Sequence, residues 1–206
     1  MLAGILSEHA PAPMTIDIDL PRSQRLKAAT RSTHDSLDKR IMAGDIFASR
    51  EQFARFLRVQ YRFHRDIQAL YGRAELAALL PELDQRQRLQ QIGRDLQDLQ
   101  QALPAVDDAV LPDAPGLPTA LGWLYVAEGS NLGGTVLFKM AAKLGLDAGF
   151  GASHLAAHPD GAARHWRSFT SALDAVPLDD VQEQQVIAAA NAAFARVRGH
   201  VEHEFA

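Results

Sequence analysis

The sequence predicts an all-α fold, a single-domain helical bundle of about 7–8 helices, and three observations point to it. Apolar residues recur at helical steps, most cleanly as Leu89, Ile92, Leu96, Leu99 and Leu103 on a Gln/Arg/Asp-rich background. No segment alternates apolar and polar residues for long enough to make a half-buried strand. All 10 prolines fall outside or at the edges of the helices so drawn, where the missing N–H and the fixed φ cost least. A chain of 206 residues, 47% hydrophobic, suits one domain with a sizeable core.

Residues 1–20, with Pro11 and Pro13, read as a flexible N-terminal extension ahead of a helical domain over 21–206. Pro21 suits the entry of a first helix, about 22–41, whose inner stripe is Leu26, Ala29, Thr33, Leu37 and Ile41. Ser49 and Gln52 have capping-box spacing and open a second, about 50–72, that turns Phe53, Phe56, Leu57, Tyr61, Phe63 and Leu70 inward. A short helix over 74–80 stops at Pro81, and the leucine stripe makes a helix of about 89–103 packed on the outside of the bundle. The segment 104–118 holds four prolines and is a loop. A long apolar helix follows, about 118–144, with Gly145 as its C′ residue. After an irregular connection over 146–160 come a helix of about 161–174 and a last one, capped by Asp179 or Asp180 and running to about 203.

Composition removes several function classes. A net charge of −4 argues against nucleic-acid binding or attachment to a membrane surface through bulk charge. With no cysteine there is no disulfide, no thiolate metal site and no cysteine nucleophile. The start lacks the basic n-region of a signal peptide, and no apolar run approaches the roughly 20 residues of a membrane span, so a cytoplasmic location is expected.

Two features are candidates for chemistry. The long apolar helix carries Gly129, Gly133 and Gly134 in its interior, where each costs about 1 kcal/mol against alanine. Gly129 and Gly133 lie one turn apart and leave one face bare. That face permits close helix packing or lets a flat, bulky group lie against the backbone, and glycine also allows a bend. The second feature is His34, with Asp38 one turn on. A carboxylate at that spacing fixes an imidazole tautomer and raises its basicity toward a metal, although spacing alone describes an ordinary helical ion pair equally well. The other histidines (His9, His154, His158, His165, His200, His203) read as surface or loop residues, and His64, among Arg62, Arg65 and Asp66, as solvent-facing. Glu-x-x-His, Gly-x-Ser-x-Gly and His-Glu-x-x-His motifs are absent.

Taken together, the two features resemble a known family. Residues 26–34 (LKAATRSTH) look like the proximal-helix motif of heme oxygenases, and residues 129–137 (GSNLGGTVL) resemble their distal-helix motif. Phe47-Ala48-Ser49-Arg50, Leu121-Gly122-Trp123-Leu124, Leu137-Phe138-Lys139 and Trp166-Arg167-Ser168-Phe169 bring the likeness closest to the bacterial branch, over the chain from about residue 22 to its end.

The resemblance implies a bundle that sandwiches heme b between a proximal helix and a glycine-kinked distal helix. His34 would be the axial ligand of the iron, with Asp38 as its partner. Gly129, Ser130, Asn131 and Gly133 would form the distal wall over the porphyrin. Lys27, Thr30, Tyr125, Gly134, Phe138, Lys139 and Arg167 would complete the heme contacts, with Lys27 and Arg167 at propionates. Heme would be both cofactor and substrate, opened by dioxygen and an external reductant to biliverdin, Fe(II) and carbon monoxide. The electron donor would be a ferredoxin or a flavoprotein reductase, and a phytochrome is a conceivable bilin acceptor.

The chain departs from the family pattern in several places. Ser130 stands where many animal members carry a distal aspartate, so Asn131, an arginine or backbone groups must anchor the water network. Leu124 occupies the place of an aromatic hydroxyl, with Tyr125 one position off. Ala163 replaces a propionate lysine, for which Lys139 is the substitute. These changes leave regiochemistry open, with the α position as default. The alternative readings are a non-degrading heme carrier on the same scaffold and a helical interaction module in which the glycines only pack.

Overall fold

A computed structural model describes residues 20–105, 110–112 and 114–206, so the expectations for the extension, His9 included, lie outside the described residues. Eight α-helices are present among these: α1 Arg22–Met42, α2 Arg50–Asp66, α3 Gln68–Tyr71, α4 Ala74–Ala77, α5 Leu89–Asp98, α6 Leu117–Ala141, α7 Ala162–Ala175 and α8 Asp180–Glu204. Short 3-10 turns stand at Leu83–Arg86, Ala142–Leu144 and Ser153–Leu155. No strand occurs among the described residues, where the only β pairing is isolated bridges at Asp147.

The capping chemistry acts as the residue types dictate. Ser49 Oγ accepts from Gln52 N at 3.1 Å and starts α2. Asp179 opens α8 with a complete capping box, its carboxylate accepting from Gln182 N while Gln182 returns a bond to Asp179 N. Gly145 ends the α6 region at φ 71°, the left-handed conformation that a Cβ disfavours.

Several boundaries differ from expectation. The second helix breaks at Ile67, so α2 and α3 together cover what the periodicity joins. The 74–80 segment is helical only to Ala77. The leucine stripe leaves α-helix after Asp98, because Gln100 turns to φ 57°, and Leu103 at its end is exposed. Leu99 still packs on the core past the end of α5, so the stripe outlasts the helix by one buried-side leucine.

α8 is the spine: α6, α1 and α2 pack along it, and α7 packs on α6. The closest approach is at Gly122, where an added Cβ would come within 2.5 Å of Val186 O and 2.7 Å of Ala189 Cβ. Buried Ala189, Ala190 and Ala193 supply the flat face that α6 needs on α8. Small-residue packing therefore belongs to Gly122, two turns before the glycines that suggested it. One apolar core fills the space between α1, α2, α6, α7 and α8, with Phe63 stacked on Trp123 at 5.9 Å. A second lies between α2, α5 and the end of α6, around Phe53, Phe56, Ile92 and Leu96.

Candidate functional site

α1 and α6 both lean on α8, and each leaves one face open. On α1, the His34 side chain is 54% exposed, with its ring edge-on to Phe194 of α8 at 5.8 Å. Its Nδ1 lies 3.3 Å from Asp38 Oδ2, the i, i+4 geometry anticipated from spacing. Nε2 is left as the nitrogen available to a metal. Thr30 is buried, and its hydroxyl donates to Leu26 O at 2.8 Å, so it stabilises α1 itself.

On α6 the three glycines differ. A Cβ at Gly133 would meet nothing within 4 Å, and one at Gly129 would meet only the Trp166 ring, at 3.7 Å. Gly134 is buried against Leu155 and belongs to packing. Around Gly133, Leu132 and Val136 are exposed although α6 is otherwise a core helix. An apolar, bare helix face of this kind suits a flat apolar ring system.

The other candidates divide. Lys27, Lys139 and Arg167 are exposed and make no ion pair among the described residues, so each can meet a carboxylate of a bound group. Tyr125 is buried against Trp166, ring centroids 5.6 Å apart, and burial pushes its hydroxyl up to about 12. Phe138 is half-buried and packs on the second core. Ser130 is turned back on its own helix, Oγ donating to Ala127 O at 2.6 Å. Its oxygen can then only accept.

Behind the glycine face lies a cavity of about 10 Å³, the size that takes one water. Arg88, Glu128, Asn131, His154, His158 and His165 are among the residues lining it. Four of the polar atoms supplied by these residues lack a hydrogen-bond partner among the described residues: Arg88 Nε, Glu128 Oε1, Asn131 Nδ2 and His154 Nε2. The Asn131 amide faces the Glu128 carboxyl and favours its ionised form without completing a hydrogen bond to it.

His64 is buried near His154 and Arg88 without lining the cavity, contrary to the solvent-facing reading. It is 2% exposed, and burial, with His154 and Arg88 adding repulsion, lowers it to about 3, so it is neutral. His154, His165 and His200 are likewise buried, which corrects their reading as surface or loop residues. His165 is held down at about 4, by burial first and then by Arg86 and His158, on whose ring it stacks at 4.3 Å. His200 is held by Asp66, 2.9 Å from Nε2.

Sequence reasoning missed this chamber. His64, Arg88 and Asp95 sit on polar-looking stretches and Glu128 is a lone charge in an apolar helix, and only the packing of α2, α5 and α6 brings them close. A signal was available in part: His64 lies one turn from Tyr61 and beside Phe63, at the edge of the buried stripe of α2.

Arg86 and Glu128 form a fully buried ion pair at 2.9 Å. Arg86 also donates to Pro81 O and His165 O, so one guanidinium ties the 3-10 turn to α6 and α7. Burial raises the Glu128 carboxyl, with Arg86 pulling against it.

A half-exposed helical histidine, an open glycine face and an orphan-lined cavity behind that face are the parts required to hold a metalloporphyrin and handle protons beside it. The heme oxygenase family matches residues 20–203. The chain belongs to the heme oxygenase family. It is 42% identical over 185 residues to the heme oxygenase PigA of Pseudomonas aeruginosa, a match covering 90% of this chain and 93% of that one. The heme oxygenase of Neisseria meningitidis, solved with NO and CO bound, superposes with a TM-score of 0.85 at 41% identity, covering 90% of this chain and 92% of that one. Heme oxygenase-1 of the cyanobacterium Synechocystis, in complex with heme, shares the fold at a TM-score of 0.71 and 17% identity, over 89% of this chain and 92% of that one. As a heme oxygenase the chain is a heme-degrading enzyme, cleaving heme at a meso carbon to biliverdin, Fe(II) and carbon monoxide. No helix among its described residues is long and apolar enough to cross a membrane.

Proposed function

We propose that heme b lies between α1 and α6, with His34 Nε2 on the iron and the Gly129–Gly133 face against the porphyrin. Asp38 orients the imidazole from Nδ1. Lys27, Lys139 and Arg167 take the propionates, which fixes the in-plane rotation of the ring and so the carbon that is cut. Bound heme supplies the iron that activates dioxygen against its own ring. The chain's part is to orient the ring, to exclude bulk water and to keep proton-bearing groups at a fixed distance. Asn131 and the chamber behind it take over the role that a distal carboxylate has in other members, while Ser130 serves as an acceptor at the open face.

The observation that carries this reading is the chamber. A non-degrading carrier needs the ligand and the apolar face but has no use for Arg88, Glu128, Asn131 and His154 buried with unpaired atoms, which is costly unless water or a reaction employs them. Electrons come from an external donor, a ferredoxin or flavoprotein reductase, and a phytochrome is a candidate acceptor of the bilin.

The test is aerobic turnover of the hemin complex with a reductant, followed by chromatography of the bilin. Conversion to a biliverdin isomer is expected. A histidine-ligated complex that persists unchanged indicates the carrier instead. His34→Ala should abolish turnover even where the pocket still holds heme, because the axial ligand is gone.

A further inference from the structure

Asp95 is the least conspicuous member of the chamber's surroundings. It sits in the middle of α5, on a helix with a strongly polar outer face, and is 0% exposed. A buried carboxylate requires compensation. Among the described residues, no lysine or arginine forms an ion pair with it. Its partners are all donors from the segment after α6: Ser153 N to Oδ1 at 2.8 Å, His154 N to Oδ2 at 3.0 Å, and His154 Nδ1 to Oδ2 at 2.7 Å.

We infer that Asp95 is a positioning residue that fixes the His154 ring with a proton on Nδ1, so that Nε2 is the ring nitrogen left to meet the chamber. An ionised carboxylate can only accept, so the ring nitrogen 2.7 Å from it must carry a hydrogen. The backbone bonds from Ser153 N and His154 N hold the same carboxylate in place, so the ring meets a fixed acceptor and gives up its bond to it if it turns.

The consequence lies at the other end of the ring. With Nε2 accepting, the unpaired side-chain atoms of the lining residues are two donors, Arg88 Nε and Asn131 Nδ2, and two acceptors, Glu128 Oε1 and His154 Nε2. Two donors and two acceptors match the bonding capacity of one water, with its two protons and two lone pairs. With the opposite tautomer the cavity would present three donors to one acceptor, and one donor would stay unpaired at the usual cost. Asp95 therefore decides whether water behind Asn131 has a single orientation. Asp95 does not touch the substrate; it acts through His154. The inference rests on the heme reading for its purpose but not for its geometry.

The first measurement uses the chain without heme. Long-range nitrogen–proton correlation spectra of the ring of His154 should show the Nδ1–H tautomer in excess by about tenfold or more, the scale of a charge-assisted hydrogen bond. An Nε2–H tautomer in excess overturns the inference, whatever heme does. The second uses the hemin complex. The pH midpoint at which water on the ferric iron loses its proton, read from the visible spectrum, should move in Asp95→Asn. It should move no further in Asp95→Asn/His154→Phe than in His154→Phe alone. An Asp95→Asn protein that melts earlier but keeps the wild-type midpoint would overturn the inference, because Asp95 would then be only a clamp on the loop. Conversely, the expected tautomer in a chain that never turns heme over leaves the geometry standing and refutes the heme reading.

Discussion

At the scale of single residues, two glycines on α6 make opposite predictions. At Gly122 a methyl group would sit 2.5 Å from the carbonyl oxygen of Val186, and backbone cannot step aside as a side chain can. Gly122→Ala should cost about 1–3 kcal/mol of stability as overpacking, read by urea denaturation. At Gly133 a methyl would meet nothing in the heme-free protein. Gly133→Ala should therefore raise stability by up to about 1 kcal/mol through helix propensity. It should also weaken hemin binding about tenfold, because the methyl projects from the face that the ring must approach. A Gly133→Ala protein that is both less stable and unaltered in hemin binding would contradict this assignment of the open face.

At the scale of elements, buried charges decide how the turns and helices around the chamber are held. Arg86 and Glu128 are buried together, and removing one leaves the other without compensation. Arg86→Met should cost about 3–5 kcal/mol, and the double variant with Glu128→Gln should recover part of that loss. Chemical denaturation of the four proteins in the cycle measures it. His64 on α2 makes a pH prediction. Its folded value, about 3, lies below its ordinary value of 6.5, so the unfolded chain binds a proton that the folded chain refuses. Stability should therefore fall as pH drops from about 6.5 toward 3, with a slope of up to ~1.4 kcal/mol per pH unit from this residue. His165, also lowered, acts in the same direction. Glu128, raised by burial, opposes it where its carboxyl titrates. At lower pH the carboxylates join in. Desolvation would raise Asp66 and Glu204, but hydrogen bonds from His200 and Arg196 to the first, and from Arg58 and Arg62 to the second, hold both below their usual range. Their contribution is present above pH ~4.5 and is lost on further acidification. His64→Gln should flatten the curve between about pH 6 and 4, as followed by thermal melts.

At the scale of the whole molecule, the helices and the two motifs could be read from the sequence because they rest on local rules. Ser49, Asp179 and Gly145 cap or end helices through bonds and backbone angles within a few residues of themselves. The inner stripe of α2 is buried throughout, since a 3.6-residue period needs no knowledge of the partner. Where local rules compete with packing, the sequence misleads. His64 sits among Arg62, Arg65 and Asp66, which mark a wet face, yet α2 is covered on that side as well.

By itself, then, the sequence determined an all-α chain, the positions of most helix ends, the His34–Asp38 pair and the glycine-bearing α6, because each is a matter of spacing along one chain. Only the tertiary structure decided that Gly122 packs while Gly133 stays bare. It also decided that Asp95 reaches His154, and that Arg88, Glu128, Asn131 and His154 meet around one cavity. These contacts join residues up to 66 positions apart, and the geometry that brings them together is set by how α2, α5 and α6 share a core, which no local period encodes.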